Sequence, residues 1–171
     1  MSEIDIFKKT DIKQILIKDI IECYSIKING QFIEDEVINS IALILNNNCK
    51  MIQMELCEVH VLKFLNLAQK IHQLCSIYNA LFIIKSRADI AKILDSDGLL
   101  LDNTDYSFNQ AVEIIGHDKI VGYFYKKSEI DHLDDINLFN YILIEQDDYK
   151  GLKSNLNALN KKIIIKKEII L

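Results

Sequence analysis

Two rhythms of apolar residues alternate along this chain. Short apolar runs, "CYSIKING", "KMIQMEL" (50–56), "ALFIIK" (80–85), "GLLL" (98–101), "KIVGYF" (119–124) and "YILI" (141–144), read as strands, the first ending in the turn signal Asn29-Gly30. Between them the apolar positions fall three and four residues apart, the spacing of a helix that buries one face. This predicts helices over Asp11–Glu22, through Ile12, Ile15, Leu16 and Ile20, and over Glu34–Leu45, through Val37, Ile41, Ile44 and Leu45. Further helices are predicted over Val59–Ile77, Ala88–Leu94, Phe108–Ile115, Ser128–Leu133 and Tyr149–Leu159 in the same way, the last preceding "KKIIIKKEII".

Strand and helix thus alternate six times, the signature of βαβ units in a parallel sheet. About eight such units close a barrel. The expectation is one α/β domain over 1–171: an N-terminal helical segment, 1–22, followed by a (β/α) barrel over 23–171 left incomplete at about six parallel strands.

Composition narrows the function. With 20 basic and 25 acidic residues the formal net charge is −5, which argues against a broad nucleic-acid footprint while leaving room for a local anion site. The N-terminus "MSEIDIFKKTDIKQ" has no apolar signal core, and no apolar run approaches the ~18 residues of a membrane span. A cytoplasmic location without membrane association is expected. Cys23, Cys49, Cys57 and Cys75 lack C-x-x-C spacing and read as free thiols, and His60, His72, His117 and His132 lie apart in the inferred topology. The runs "KKTDIK", "EQDD" and "KKEII" read as solvated faces.

The stretch "LCSIYNALFIIKSRADIAKILDSDGLLLDNTDYSFNQAVEIIGHDKIVG", residues 74–122, resembles the thiamine phosphate synthase and TenI family, with its ordered "NDR", "ADIA", "ADGVHLGQ-D" and "IIG" motifs. Weaker similarity reaches back to "CYSIKING" and forward to "NYILI". The resemblance implies a TIM-barrel-like fold. It also implies a place in thiamine biosynthesis, where synthases join a pyrimidine diphosphate to a thiazole phosphate with magnesium and release pyrophosphate, and TenI relatives tautomerise a thiazole phosphate through a histidine.

Carried over residue by residue, the resemblance keeps Arg87 of "NDR" and the metal-binding aspartate as Asp105, but puts Lys85 and Ser86 where asparagine and aspartate are expected. Asp102 stands where the family has glycine and is an alternative carboxylate. Glu55 and Cys57 replace a basic pair, Phe124 a serine, and Lys126 the TenI histidine, while "EQDDYKG" replaces a glycine-rich turn. A carboxylate in place of a cation costs ~1 to 4 kcal/mol against a nearby phosphate. The phosphate-binding glycines after the family's seventh and eighth strands are expected to be missing.

The resulting expectation is a divergent, truncated family member with weak or lost synthase activity; the alternative is a non-catalytic binding or assembly module. The candidate ligand-binding residues are Lys85, Arg87, Asp105, Lys126 and Cys57, for a phosphorylated thiazole or pyrimidine, with no catalytic residue assigned. Asp105 is the candidate ligand for a weakly held magnesium ion. Arg87 is read either as an anchor for Asp89 or Asp105 or as a ligand contact. Homo-oligomerisation is expected, since a partner could cover open strand edges.

Overall fold

The computed structural model describes residues 16–28, 30, 32–126, 136–151 and 161–169. Its strands are β1 (Glu22–Ile28), β2 (Met51–Leu56), β3 (Leu81–Lys85), β4 (Gly98–Leu101), β5 (Ile120–Tyr125), β6 (Tyr141–Glu145) and β7 (Lys162–Ile169). The helices are α1 (Glu34–Asn46), α2 (Val61–Ile77), α3 (Ala88–Ile93) and α4 (Phe108–Ile115), with a 3-10 turn at Ile136–Leu138 and helical residues at 146–151. All seven strands pair in parallel and in chain order, and β7 pairs with β1, so the sheet is a closed barrel.

The TIM-barrel-like α/β fold is as expected, but the described residues form seven strands rather than six, and the barrel is closed rather than incomplete. The added strand is "KIIIKKEI", which pairs through Ile142↔Ile163 with β6 and through Glu22↔Ile165 with β1. No open edge is left at that seam. The strand was hidden because its continuous apolar run is only Ile163–Ile165, shorter than that of β3 or β6, with lysines flanking it on both faces. Its "KKEI" portion is not a solvated face throughout, since Lys166 is buried. Of the predicted N-terminal helix, residues 16–18 are helical, while 1–15 lie outside the described residues, as do the helix predicted at 128–133 and most of that predicted at 149–159.

Side-chain alternation along each strand separates an interior cluster from outward-facing ones, of which the described residues form two, the smaller being Tyr125, Ile136, Ile142 and Ile144. Outward residues Ile26, Ile52, Met54, Phe82, Ile84, Leu99, Leu101 and Val121 pack under helices through Ile41, Phe64, Leu67, Ile71 and Ala111. Inward residues Cys23, Met51, Ile83, Leu100, Ile120, Phe124, Tyr141, Leu143 and Ile164 fill the barrel, joined by Ile17 and Ile20 just ahead of β1. A seven-stranded barrel is narrower than one of eight, so its interior needs gaps for large side chains. Gly122 supplies one: a Cβ there would lie 2.2 Å from the Tyr141 ring.

Local signals end the helices where the sequence suggests. Ser107 and Gln110 form a reciprocal capping box at the start of α4. The His60 side chain caps α2 by accepting from the Leu62 amide. Parallel pairing throughout the barrel places the βα turns, and with them the polar ends of the strands, on one side.

Candidate functional site

The inward alternation that buries Met51, Ile83 and Leu100 brings charged residues to the carboxyl ends of the same strands. Lys27 comes from β1, Glu55 from β2, Lys85 from β3, Glu145 from β6, and Lys166 and Glu168 from β7; Asp102 and Lys126 follow directly on β4 and β5. Around the mouth the signs alternate, and neighbours pair. The Lys85 Nζ lies 2.8 Å from Glu55 Oε1 and 3.9 Å from Asp102 Oδ2, which is itself 3.7 Å from Lys126 Nζ. Across the barrel, Lys166 Nζ lies 2.6 Å from Glu145 and 2.8 Å from Glu168, and Lys27 reaches Glu168 at 3.1 Å.

Four lysines and four carboxylates therefore form a collar with no net formal charge. The Lys166 side chain is only 5% exposed, so its charge depends on its partners. Burial lowers its pKa, but hydrogen bonds to Glu145 and Glu168 outweigh that and hold it above the usual lysine range. The same bonds from Lys166, with that from Lys27, bring Glu168 down to about 2. At Asp102 burial acts upward, yet the Thr104 hydroxyl and amide and the two nearby lysines hold the carboxyl below its ordinary range.

Beside the collar, the β3–α3 turn is held in an uncommon conformation. Ser86 has φ +62, and the Arg87 amide donates back to Lys85 O at 2.8 Å, a tight turn that costs a non-glycine residue energy. Asp105 stabilises it: its Oδ2 accepts from the Ser86 hydroxyl at 2.8 Å and from the Asp102 amide at 2.9 Å. Arg87 donates twice to Asp89, from Nε at 2.8 Å and from a terminal nitrogen at 2.6 Å. That bond raises the Arg87 pKa and lowers that of Asp89.

Of the residues singled out from sequence, the structure brings Lys85 and Lys126 together on Asp102 and sets Asp105 against the same turn. Arg87 is engaged by Asp89 rather than by Asp105. Cys57 follows β2, where burial, then Glu55, raises its thiol pKa, so the neutral thiol is the form present at pH 7. Sequence reasoning missed Lys27, Glu145, Lys166 and Glu168. The signal was present: each continues the inward alternation of its strand past the last apolar residue.

These groups do not fit a magnesium ion. A hard divalent cation takes several oxygens, whereas Asp105 Oδ2 is occupied by two protein donors and Asp102 faces two ammonium groups. Among the described residues no three His, Cys, Asp or Glu side chains are grouped to hold a metal. No helix among them is long and apolar enough to cross a membrane.

Comparison with known proteins gives a consistent relationship. A thiamine-phosphate synthase of Campylobacter jejuni is 31% identical over 119 residues, covering 70% of this chain and 56% of that protein. Another from Prochlorococcus marinus is 38% identical over 87 residues, 51% of this chain and 25% of its partner in the alignment. The matches thus span at most about half of these relatives' length. Among solved structures, thiamine phosphate pyrophosphorylase from Pyrococcus furiosus superposes with a TM-score of 0.69 at 20% identity, over 87% of this chain and 76% of that one. Dihydrodipicolinate synthase from Bacillus clausii shares the fold at a TM-score of 0.60 and 12% identity, covering 88% and 69%. The thiamine monophosphate synthase family profile matches residues 23–144, well over half of the chain, and the chain belongs to that family.

Proposed function

We infer that this protein is a divergent member of the thiamine phosphate synthase/TenI family, linked to thiamine biosynthesis, whose synthase activity is weak or lost. The observation that carries this reading is the collar. A diphosphate leaving group needs cations, a metal or backbone amides aimed at the charge that develops on it. Here Lys85 and Lys166, the most enclosed cations of the mouth, are each held by two carboxylates. A phosphorylated thiazole or pyrimidine entering the mouth would have to displace those carboxylates and lie beside them.

Magnesium belongs to the same reading. With Asp105 committed to the Ser86 hydroxyl and the Asp102 amide, binding of the free ion is weak. Residual contact with a phosphorylated ligand falls to Lys85, Arg87, Asp105 and Lys126, with Cys57 beside them. Arg87 would first release Asp89.

The second reading is a non-catalytic binding or assembly module, and the self-neutralised collar supports it, because such a mouth is complete without a ligand. Complementation of a strain lacking the synthase tests the loss of activity that both readings share. Failure to rescue growth while the folded protein accumulates supports lost catalysis; full rescue at ordinary expression overturns it.

A further inference from the structure

Three lysines of the collar converge on one aromatic side chain. The ammonium nitrogens of Lys166, Lys85 and Lys126 lie 5.1, 5.2 and 5.7 Å from the centroid of the Phe124 ring. They come from β7, from β3 and from the end of β5, so they approach from different sides of the mouth. Phe124 is 6% exposed and belongs to the interior cluster with Leu143 and Ile164. An ammonium group is attracted to an aromatic face and not to an aliphatic surface of the same size.

Each of these lysines is also tied to a carboxylate: Lys85 to Glu55 and Asp102, Lys126 to Asp102, and Lys166 to Glu145 and Glu168. Their positions therefore do not depend on Phe124 alone. Removing the ring would leave a space bordered by the interior cluster that includes Leu143 and Ile164, three ammonium groups around it, and a balanced set of charges with little pull on an anion.

We propose that the barrel mouth is a seat for a flat, uncharged aromatic ring, and that Phe124 occupies this seat from within the chain and keeps such ligands out. Phe124 is thereby the residue that determines what the mouth admits. The proposal deepens the reading of weak or lost synthase activity, since a mouth filled by its own side chain has no place for a substrate ring, but it is tested without turnover.

The test uses the full chain, wild type and Phe124→Ala, titrated with phenol and with cyclohexanol, which match in size while only phenol has an aromatic face. Phenol should bind Phe124→Ala about tenfold or more tightly than it binds the wild type, and about tenfold more tightly than cyclohexanol binds the same variant. Three results overturn the proposal: equal phenol binding by wild type, equal binding of the two probes, or no binding by folded Phe124→Ala. Should the alanine variant not fold, Phe124→Leu keeps most of the volume without the aromatic face. The ε-methylene protons of Lys85, Lys126 and Lys166 should then lose a ring-current shift seen in wild type, and unchanged shifts contradict the geometry. Synthase turnover by wild type would sink the functional reading and leave the phenol result standing; failure of phenol binding with no turnover would do the reverse.

Discussion

The Ser86 hydroxyl donates to Asp105 at 2.8 Å, so the carboxylate that the family resemblance implies as a metal ligand serves as an acceptor that pins the β3–α3 turn. The Asp102 amide donates to the same oxygen at 2.9 Å. Calorimetric titration of the free protein with magnesium should accordingly show weak binding or none, and tight stoichiometric binding would contradict the account. Asp105→Ala removes both bonds from a turn whose Ser86 has positive φ, and should cost about 1 to 3 kcal/mol in denaturant unfolding.

Lys166 is the most enclosed cation of the collar. Lys166→Met keeps most of the side-chain volume but leaves Glu145 and Glu168 without their shared partner. Because both carboxylates are partly exposed, the loss should be about 1 to 3 kcal/mol, less than for a fully buried pair. Urea unfolding measures it, and an unchanged midpoint would show that the collar adds nothing to stability.

Glu168 contributes to the acid behaviour. Its folded pKa, about 2, lies below the ordinary value of 4.5, so its contribution is fully present above 4.5 and is lost as pH falls from there to about 2. Asp102, also lowered, acts in the same direction. Lys166 is raised, so its contribution is present below the ordinary lysine value of 10.5 and is lost as pH climbs through its higher folded pKa. Thermal melts of wild type and Glu168→Gln should differ at pH 6 and converge toward pH 2. A gap that stays constant across that range would contradict the pairing.

Tyr141 gives an opposite sign to the usual core substitution. Its hydroxyl is buried without a hydrogen-bond partner among the described residues, and burial pushes its pKa up. Tyr141→Phe should therefore be neutral or stabilising by up to about 1 kcal/mol. Gly122→Ala, which drives a methyl group into the same ring, should destabilise by about 1 to 3 kcal/mol or more. Reversed signs in chemical denaturation would show that the interior is packed differently.

Much of this architecture was legible in the order of residues. Helix α4 has the predicted bounds because Ser107 caps it and Gly116 ends it at φ +105, where a side chain would be strained. Strand β7 was not legible, since Lys162, Lys166 and Lys167 confine its apolar run to three isoleucines, and only closure against β1 and β6 explains why Lys166 can be buried. The site was half legible for a related reason. Lys85 and Asp105 stand out beside matching family motifs, whereas Lys166, which pairs with Glu145, comes from the strand that was not legible, and the pairing of Lys27 with Glu168 joins the first and last strands of the barrel.

The measurement that bears most directly on the central claim is product formation by the purified protein supplied with the pyrimidine diphosphate, the thiazole phosphate and magnesium. Loss of one group that stabilises the developing charge typically costs ~10² to 10³ in rate, and the neutralised lysines and the engaged Asp105 together predict almost no thiamine phosphate. Robust product formation that Asp105→Ala abolishes, in a variant shown to be folded, would contradict the account.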